Sequence, residues 1–251
     1  MLQSEVVNES LVDISGQVAV ITGGSRGLGF AAAQILGQAG ATVLVVGKSM
    51  ESAEAASGRL IAMDIDAVPV AVDVSDAHAV QQILGEHELA TQAQILINSA
   101  GVMSERMSKT LRTTADEWRR VMSTNLDGVI NVTSVIAPHM VQRRSGRIVN
   151  VSACLGRFSG PGLAGGLAPY RVSKAAVNAF TKNLAAETGN GSRGVLVDAM
   201  CPNHSRTDMG GSDAPRSAEE GAETMVWLAR RELGEGIQTG LLWEDRTVIP
   251  W

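Results

Sequence analysis

The sequence has no surplus of positive charge. Its 21 Lys and Arg are outnumbered by 26 Asp and Glu, for a formal net charge of −5. Nucleic acid and anionic membrane are therefore not expected as main partners, because releasing counterions from either needs clustered basic side chains. One local cluster, Arg143, Arg144 and Arg147, reads as a solvated turn after a helix. Cysteine is scarce: Cys154 and Cys201 are the only two. Their spacing suggests neither a metal site nor a disulfide framework, and reduced thiols in a cytoplasmic enzyme are expected. No apolar run reaches the roughly 18 residues of a membrane span. The first 13 residues are polar and acidic, with no basic segment ahead of an apolar one, so no signal peptide is expected. Tyrosine is nearly missing as well, and the one present is Tyr170.

What is present suits a buried globular core. Apolar residues make up 45% and charged residues 19% of the chain, and 251 residues is a normal length for a single α/β domain. No internal repeat or linker divides it, so one domain spanning 1–251 is expected. Short apolar runs recur at Val18–Ile21, Thr42–Val46, Ala67–Val72, Gln94–Ile97, Arg147–Val151 and Val195–Met200. Unbroken apolar strands that alternate with stretches long enough for helices predict right-handed βαβ units. They imply a doubly wound parallel sheet of the Rossmann kind, covered on both faces.

Two long helices are predicted. One starts at Thr114–Ala115–Asp116–Glu117, a capping-box pattern with Thr114 as N-cap, and runs to about Gln142, with Pro138 bending or tightening its last turns. The other spans Tyr170 to Glu187, with Ala176, Phe180 and Leu184 on one stripe. The Gly- and Pro-rich segment from Ser159 to Pro169 reads as a loop framing a pocket. The polar segment from Asn203 to Ala218 reads as a short mobile lid.

Between the first strand and the first helix lies Thr22–Gly23–Gly24–Ser25–Arg26–Gly27–Leu28–Gly29. Small residues there let backbone approach a pyrophosphate, and the helix N-terminus supplies free N–H groups and partial positive charge. Enzymes that take NAD place an Asp or Glu at the end of the second strand for the ribose 2′-OH. This chain has Gly47–Lys48–Ser49 instead. Lys48 can meet a 2′-phosphate as a point charge, with Arg26 adding a second positive contact, so NADP(H) is the expected cofactor.

Taken in order, these motifs resemble the short-chain dehydrogenase/reductase family over nearly the whole chain. Gly23, Ser25, Arg26, Gly27, Leu28 and Gly29 match its cofactor loop, and Asp73–Val74 its adenine-contacting pair. Asn98–Ser99–Ala100–Gly101 is similar to its Asn-Asn-Ala-Gly motif, with Ser99 in place of one Asn. Asn125 stands where the family keeps a catalytic Asn, and Tyr170-Arg171-Val172-Ser173-Lys174 matches Tyr-x-x-x-Lys. Pro202–Asn203 with Thr207 resembles Pro-Gly-x-x-x-Thr, with Asn203 for Gly. The resemblance implies cofactor contacts from Ala100, Gly101, Tyr170, Lys174, Pro202, Asn203 and Thr207, and from Asn98. It also implies homodimers or homotetramers built on the two long helices.

The Tyr170–Lys174 pair also has a chemical reading of its own. A free tyrosine, with a pKa near ~10, is a poor acid–base catalyst at neutral pH. A lysine four residues on shares its helix face, and the ammonium favours phenolate, so Tyr170 is expected to be tuned downward and to protonate a carbonyl oxygen. The family's third group is a serine three residues after the Asn that ends the fifth strand. Counting from Asn150, that position is Ala153. Three readings compete: Ser152 takes over by a one-residue shift; another group such as Ser159, Asn203 or a substrate hydroxyl does; or the chain is weakened. The second leads. Cys154 is expected as a buried filler, His204 as solvated, and Trp118, Trp227, Trp243 and Trp251 as packing residues; Asp198 is out of place in a buried strand. The Gly, Ala, Leu and Phe wall implies an open apolar pocket for a bulky ketone or secondary alcohol. Overall similarity to carbonyl reductases of the family suggests a polycyclic ketone of the angucycline type, from aromatic polyketide (antibiotic) biosynthesis. An NADP(H)-binding sensor and a dehalogenase-like lyase are the alternatives. Lys174 and the intact loop disfavour the lyase.

Overall fold

The structure is a computed structural model that describes residues 11–105, 109–234 and 236–251. Most of the segment judged to lack a signal peptide, residues 1–10, is outside the described residues. The six expected strands form within about a residue of their predicted limits: β1 Val18–Thr22, β2 Thr42–Gly47, β3 Ala67–Ala71, β4 Ile95–Asn98, β5 Gly146–Val151 and β6 Val195–Met200. Two more, β7 Leu242–Glu244 and β8 Thr247–Ile249, extend the sheet to the order β3-β2-β1-β4-β5-β6-β7-β8. All neighbours pair in parallel except β7 and β8.

The apolar runs are unbroken because each strand feeds two cores. Ala19, Ile21, Val43, Val45, Ile95 and Ile97 pack on one side of the sheet, with α1 (Gly27–Gln38) and α8 (Ala218–Ala229). Val18, Val20, Leu44, Val46 and Leu96 pack on the other, with α3 (Ala77–Gly85) and α6 (Gly128–Arg143). Successive side chains point to opposite faces, so a strand covered on both sides has no polar alternation. Three further helices are α2 (Met50–Ile61), α4 (Glu88–Gln92) and α7 (Ala168–Glu187). No helix among the described residues is long and apolar enough to cross a membrane.

The first long helix departs from expectation in its middle. It begins as α5 (Ala115–Met122), passes through a π-helical turn at Ser123–Asp127 and continues as α6, which carries Pro138 without ending. Thr114 caps it by accepting from Glu117 N at 3.1 Å. The capping box is not closed, because the Glu117 carboxylate turns instead to Glu105 N and the Arg120 guanidinium. A closed box forms at α8, where Ser217 and Glu220 cap each other reciprocally. The buried face of α7 carries Ser173, Lys174, Val177, Asn178, Thr181 and Ala185, while the apolar stripe of Ala176, Phe180 and Leu184 is only half-buried on its flank.

Two further expectations are corrected. Arg147 is not solvated: it is buried on β5 and donates to Arg231 O at 2.7 Å, and burial next to Arg231 pushes its pKa down to about 10. Trp118 is exposed and Trp251 half-buried, so the packing role falls to Trp227 and Trp243, which meet edge to face at 5.0 Å. Asp198 finds its partners there. It accepts from Arg231 Nη1, Trp243 Nε1 and Leu241 N, each at 3.1 Å, and so ties β6 to the chain that follows α8.

Candidate active site

The strand order reverses around β1, whose neighbours are β2 and β4, and open parallel sheets bind ligands at such a switch point. A cavity of about 1040 Å³ lies there, at the C-terminal ends of the strands. The turn after β1 forms its near wall. Gly23 has φ +64°, and a Cβ on it would sit 2.9 Å from the backbone of Ala100. A Cβ on Gly29 would run into the Gly23 carbonyl oxygen. Both positions therefore need the bare backbone. Thr22 Oγ1 accepts from Ser99 N and Ala100 N at 3.1 Å each, which clamps the segment after β4 against the loop. Helix α1 follows with Arg26 as N-cap and no side chain capping it, so its first N–H groups are left for a ligand.

Of the residues expected to contact a dinucleotide, Gly23, Ser25, Arg26, Gly27, Leu28, Gly29, Lys48, Asp73, Val74, Ala100, Gly101, Tyr170, Lys174, Pro202, Asn203 and Thr207 all line this cavity. Asn98 does not. It is buried behind the wall, donating to Thr133 Oγ1 at 3.0 Å and Asn150 Oδ1 at 2.8 Å, and so ties β4 to α6 and β5. Its place is that of a positioning residue. At the rim, Lys48 Nζ lies 2.8 Å from Asp73 Oδ2, and Arg26 Nη1 lies 2.6 Å from Asp208 Oδ2. Burial alone would raise the Asp73 carboxyl, but hydrogen bonds from Lys48 and Ser75 outweigh it and hold it below the usual carboxylate range. The loop and the rim fit a phosphorylated dinucleotide: bare backbone for the pyrophosphate, and two exposed cations with no acid at the end of β2.

Helix α7 delivers Tyr170 and Lys174 to the floor of the same cavity, one turn apart. Its N-cap, Leu167, has φ +54° and no capping side chain. The cap comes from elsewhere: Ser104 Oγ, buried in the segment after β4, accepts from Tyr170 N at 2.9 Å. Asn125 lies within the π-helical turn, just behind the cavity. Its side chain accepts from Val102 N at 2.7 Å and donates to Val102 O at 3.0 Å and Ser173 Oγ at 3.1 Å, while Ser173 Oγ donates to Tyr170 O at 2.7 Å. Asn125 thus fixes the backbone that carries the tyrosine. Nothing in the local sequence marks Ser104 or Ser173 for this work, because the contacts span 66 and 48 residues.

The electrostatics of the pair reverse the expected tuning. Lys174 Nζ is buried, donates to Val151 O at 2.7 Å and stands 5.8 Å from the centre of the Tyr170 ring. Burial pushes the lysine down to about 8 and the tyrosine up to about 12. Burial is the cause of both shifts, and it favours the protonated phenol of Tyr170 across the neutral range.

Ala153 packs with Tyr170 and Val121, flanked by Val102, Met103, Leu155, Leu167 and Met209, and brings no hydroxyl. Ser152 lines the cavity too, but its hydroxyl is engaged. It is committed to Asn178 Oδ1 at 2.5 Å, with Lys174 O 3.3 Å away, and is buried against α7. Ser159 is also removed from the candidates: it lies outside the cavity lining and accepts from Arg157 Nη2 at 3.1 Å. Asn203, with φ +57°, and His204, whose ring meets Gly210 O at 2.9 Å, do line the cavity.

The cysteines contradict the expectation of two free thiols. Cys154 and Cys201 are joined as a disulfide with a Cα–Cα distance of 5.6 Å. Both lie just beyond the ends of β5 and β6, where Val151 and Met200 pair, so the sheet brings together residues 47 apart in sequence.

A family model described as short chain dehydrogenase matches residues 17–218. The 3-oxoacyl-(acyl-carrier-protein) reductase FabG of Pseudomonas aeruginosa is 32% identical over 228 residues, 90% of this chain and 88% of the relative. The gluconate 5-dehydrogenase of Gluconobacter oxydans is 32% identical over 201 residues, 79% of this chain and 75% of the relative. Among solved structures, a gluconate 5-dehydrogenase from Burkholderia cenocepacia in complex with NADP and tartrate superposes with a TM-score of 0.76 at 27% identity, covering 86% of this chain and 89% of that one. Fold, cavity and sequence agree, and the chain belongs to the short-chain dehydrogenase family of oxidoreductases.

Proposed function

We propose that the chain is an NADPH-dependent reductase of a bulky ketone, with Tyr170 as the proton donor. When bound, the nicotinamide supplies hydride to the carbonyl carbon. The chain's own residues do the rest. The Gly23–Gly29 loop receives the pyrophosphate, and Lys48 and Arg26 receive the 2′-phosphate by exchanging their carboxylate partners for it. Lys174 orients the cofactor near Tyr170, and Asn125 and Ser104 hold the helix start. The observation that carries the reading is the placement of Tyr170 and Lys174, one helical turn apart, in the cavity that also contains the Gly-rich loop.

The apolar wall of Val102, Met103, Leu155, Leu167 and Met209 favours a bulky, weakly polar ketone, with a polycyclic aromatic-polyketide ketone of the angucycline type as the leading candidate. The similarity to 3-oxoacyl-(acyl-carrier-protein) reductases favours a 3-oxoacyl thioester as the second reading. A cytoplasmic homodimer or homotetramer completes the proposal, supported by exposed Ile130 on α6 and Val172 on α7 beside the half-buried stripe.

The test follows NADPH absorbance against polycyclic aryl ketones, a 3-oxoacyl thioester and a keto-sugar acid. Turnover of a ketone that Tyr170→Phe abolishes, with NADPH affinity kept within a few-fold, is the expected result. If no ketone is consumed while NADPH binds tightly, the reductase reading fails and the Ala153 position favours an NADP(H)-binding sensor.

A further inference from the structure

We propose that Cys154 and Cys201 form a reversible redox site whose state controls the order of two segments that wall the cavity. The pair is placed for it. Cys154 directly follows Ala153 and opens the 3-10 turn that leads into residues 157–167. Cys201 directly precedes Pro202–Asn203, where the chain leaves β6 for residues 203–217. Both line the cavity, with Cys154 half-buried and Cys201 buried. The bridge therefore joins the two exits from the sheet at the point where each begins.

The surroundings suit exchange chemistry in the reduced state. Cys201 Sγ receives Cys154 N at 3.0 Å and Asn203 N at 3.4 Å, two backbone donors that suit a sulfur carrying negative charge. Glu244 Oε2 lies 2.9 Å from Cys154 Sγ, and Asn203 Oδ1 lies 3.7 Å from it. Closing the bridge takes two thiols to one disulfide, with loss of two electrons and two protons. The oxidant is a low-molecular-weight disulfide entering through the cavity. Glu244 takes the proton of the more accessible Cys154. The Cys154 sulfur then attacks the small disulfide and expels one thiolate. Cys201 gives its proton to the first expelled thiolate, attacks the Cys154 sulfur and expels the second thiolate, which takes the proton from Glu244, so that the small disulfide leaves as two thiols. A dithiol reverses the sequence. Where glutathione and thioredoxin keep most thiols reduced, disulfides are transient and redox-sensing, which fits a bridge at a cavity mouth rather than in a core.

In the bridged form residues 154–167 and 202–216 share one covalent anchor. In the dithiol form they keep noncovalent contacts alone, among them the Arg26–Asp208 ion pair, the packing of Leu155, Leu167 and Met209 beside Tyr170, and Arg171 Nη1 to Pro161 O at 3.0 Å. The native protein is equilibrated in glutathione and glutathione-disulfide mixtures without denaturant. A chelator is present throughout, since the two sulfurs and Glu244 Oε2 lie within 4.8 Å of one another and a divalent cation would compete for them. Differential alkylation with mass spectrometry reads the thiols, and amide hydrogen exchange reads the two segments. The expected result is full interconversion, with exchange in 154–167 and 202–216 on the order of tenfold faster in the dithiol form and unchanged elsewhere. Cys154→Ser and Cys201→Ser should each exchange like the dithiol form under all conditions. Reduction only in denaturant overturns the proposal, as does interconversion with identical exchange in both states. The wild-type measurement decides alone if a variant does not fold. Neither readout uses ketone turnover, so a chain that reduces no ketone leaves this inference standing, and an inert disulfide leaves the reductase reading standing.

Discussion

Replacing Lys174 with methionine is expected to stabilise the protein at neutral pH while ending its catalysis. The lysine is buried on α7, and its ammonium has one protein hydrogen bond, to Val151 O at 2.7 Å. Burial lowers it from 10.5 to about 8. At about 1.4 kcal/mol per pH unit, that difference is a penalty of about 3 kcal/mol on the folded state wherever the lysine is protonated in both states. The sign follows from proton counting. Between pH 8 and 10.5 the unfolded chain holds the lysine proton and the folded chain has released it, so stability rises with pH across that window and the penalty is full only below it. Methionine removes the ammonium but leaves Val151 O without this donor, a loss of about 1 kcal/mol. The variant should thus be more stable by about 2 kcal/mol at pH 7, with the advantage gone by pH 10. Tyr170, raised to about 12, works in the opposite direction, but only above its ordinary value of 10.0, outside the range measured. Urea unfolding of both proteins at pH 7, 8.5 and 10 gives the difference directly. A difference that stays flat across this series would refute the claim that Lys174 is held at a desolvation penalty.

Restoring the hydroxyl with Ala153→Ser should raise kcat/KM for the ketone by on the order of 10²-fold, the usual worth of one oxyanion-type donor, because Ser152 and Ser159 are both committed elsewhere; an unchanged rate would mean that another group already holds the oxygen. Ser104→Ala removes the acceptor for Tyr170 N and should lower unfolding stability by about 1 kcal/mol and reduce kcat more than it changes KM. Ser104→Thr should recover most of both, and equal behaviour of the two variants would show that the cap is irrelevant. Lys48→Ala should weaken NADPH binding by about tenfold and leave NADH binding within twofold, as expected of a point charge on a 2′-phosphate; equal losses for the two nucleotides would place Lys48 away from that phosphate.

The architecture was legible because the physics behind it is local in sequence. A strand covered on both faces must be apolar at every position, and that signal survives in a single chain: β1, β2, β4 and β6 were located to within a residue. The short pair β7 and β8 carried no such signal. Each has three residues, and Glu244 and Thr247 interrupt their apolar character. Contacts between distant residues were illegible for a different reason. Arg147 looks like part of a basic turn until the sheet places it beside Arg231, 84 residues on, and Cys154 looks like a filler until the parallel register of β5 and β6 brings Cys201 to it. The Gly-rich loop could be located from its place between strand and helix, and the Tyr170–Lys174 pair from its resemblance to the family's Tyr-x-x-x-Lys pattern, since both are local in sequence. Their charge states could not, because desolvation is set by everything packed around them.

The same argument decides between the readings of Ala153. Alternation along a strand already counts against Ser152 in the sequence, and the structure adds a hydrogen bond that engages its hydroxyl. Val151 ends β5, and its carbonyl accepts from Lys174 on the cavity side. The next side chain, Ser152, turns to Asn178 on the body of α7, and only the one after it, Ala153, faces Tyr170. A one-residue shift would have to move the Ser152 hydroxyl off Asn178 Oδ1, and Asn178 Nδ2 already has no partner among the described residues in that buried place. Breaking the contact would leave the amide with neither of its polar ends satisfied, a buried-polar penalty of about 1–3 kcal/mol for each group. On the proposed reading, a carbonyl oxygen arriving at Tyr170 would meet an apolar wall on the Ala153 side, with Tyr170 and Lys174 as the donors that α7 brings to the cavity. The proposed reaction would then hold its oxygen without a serine hydroxyl at this position, which is what Ala153→Ser tests.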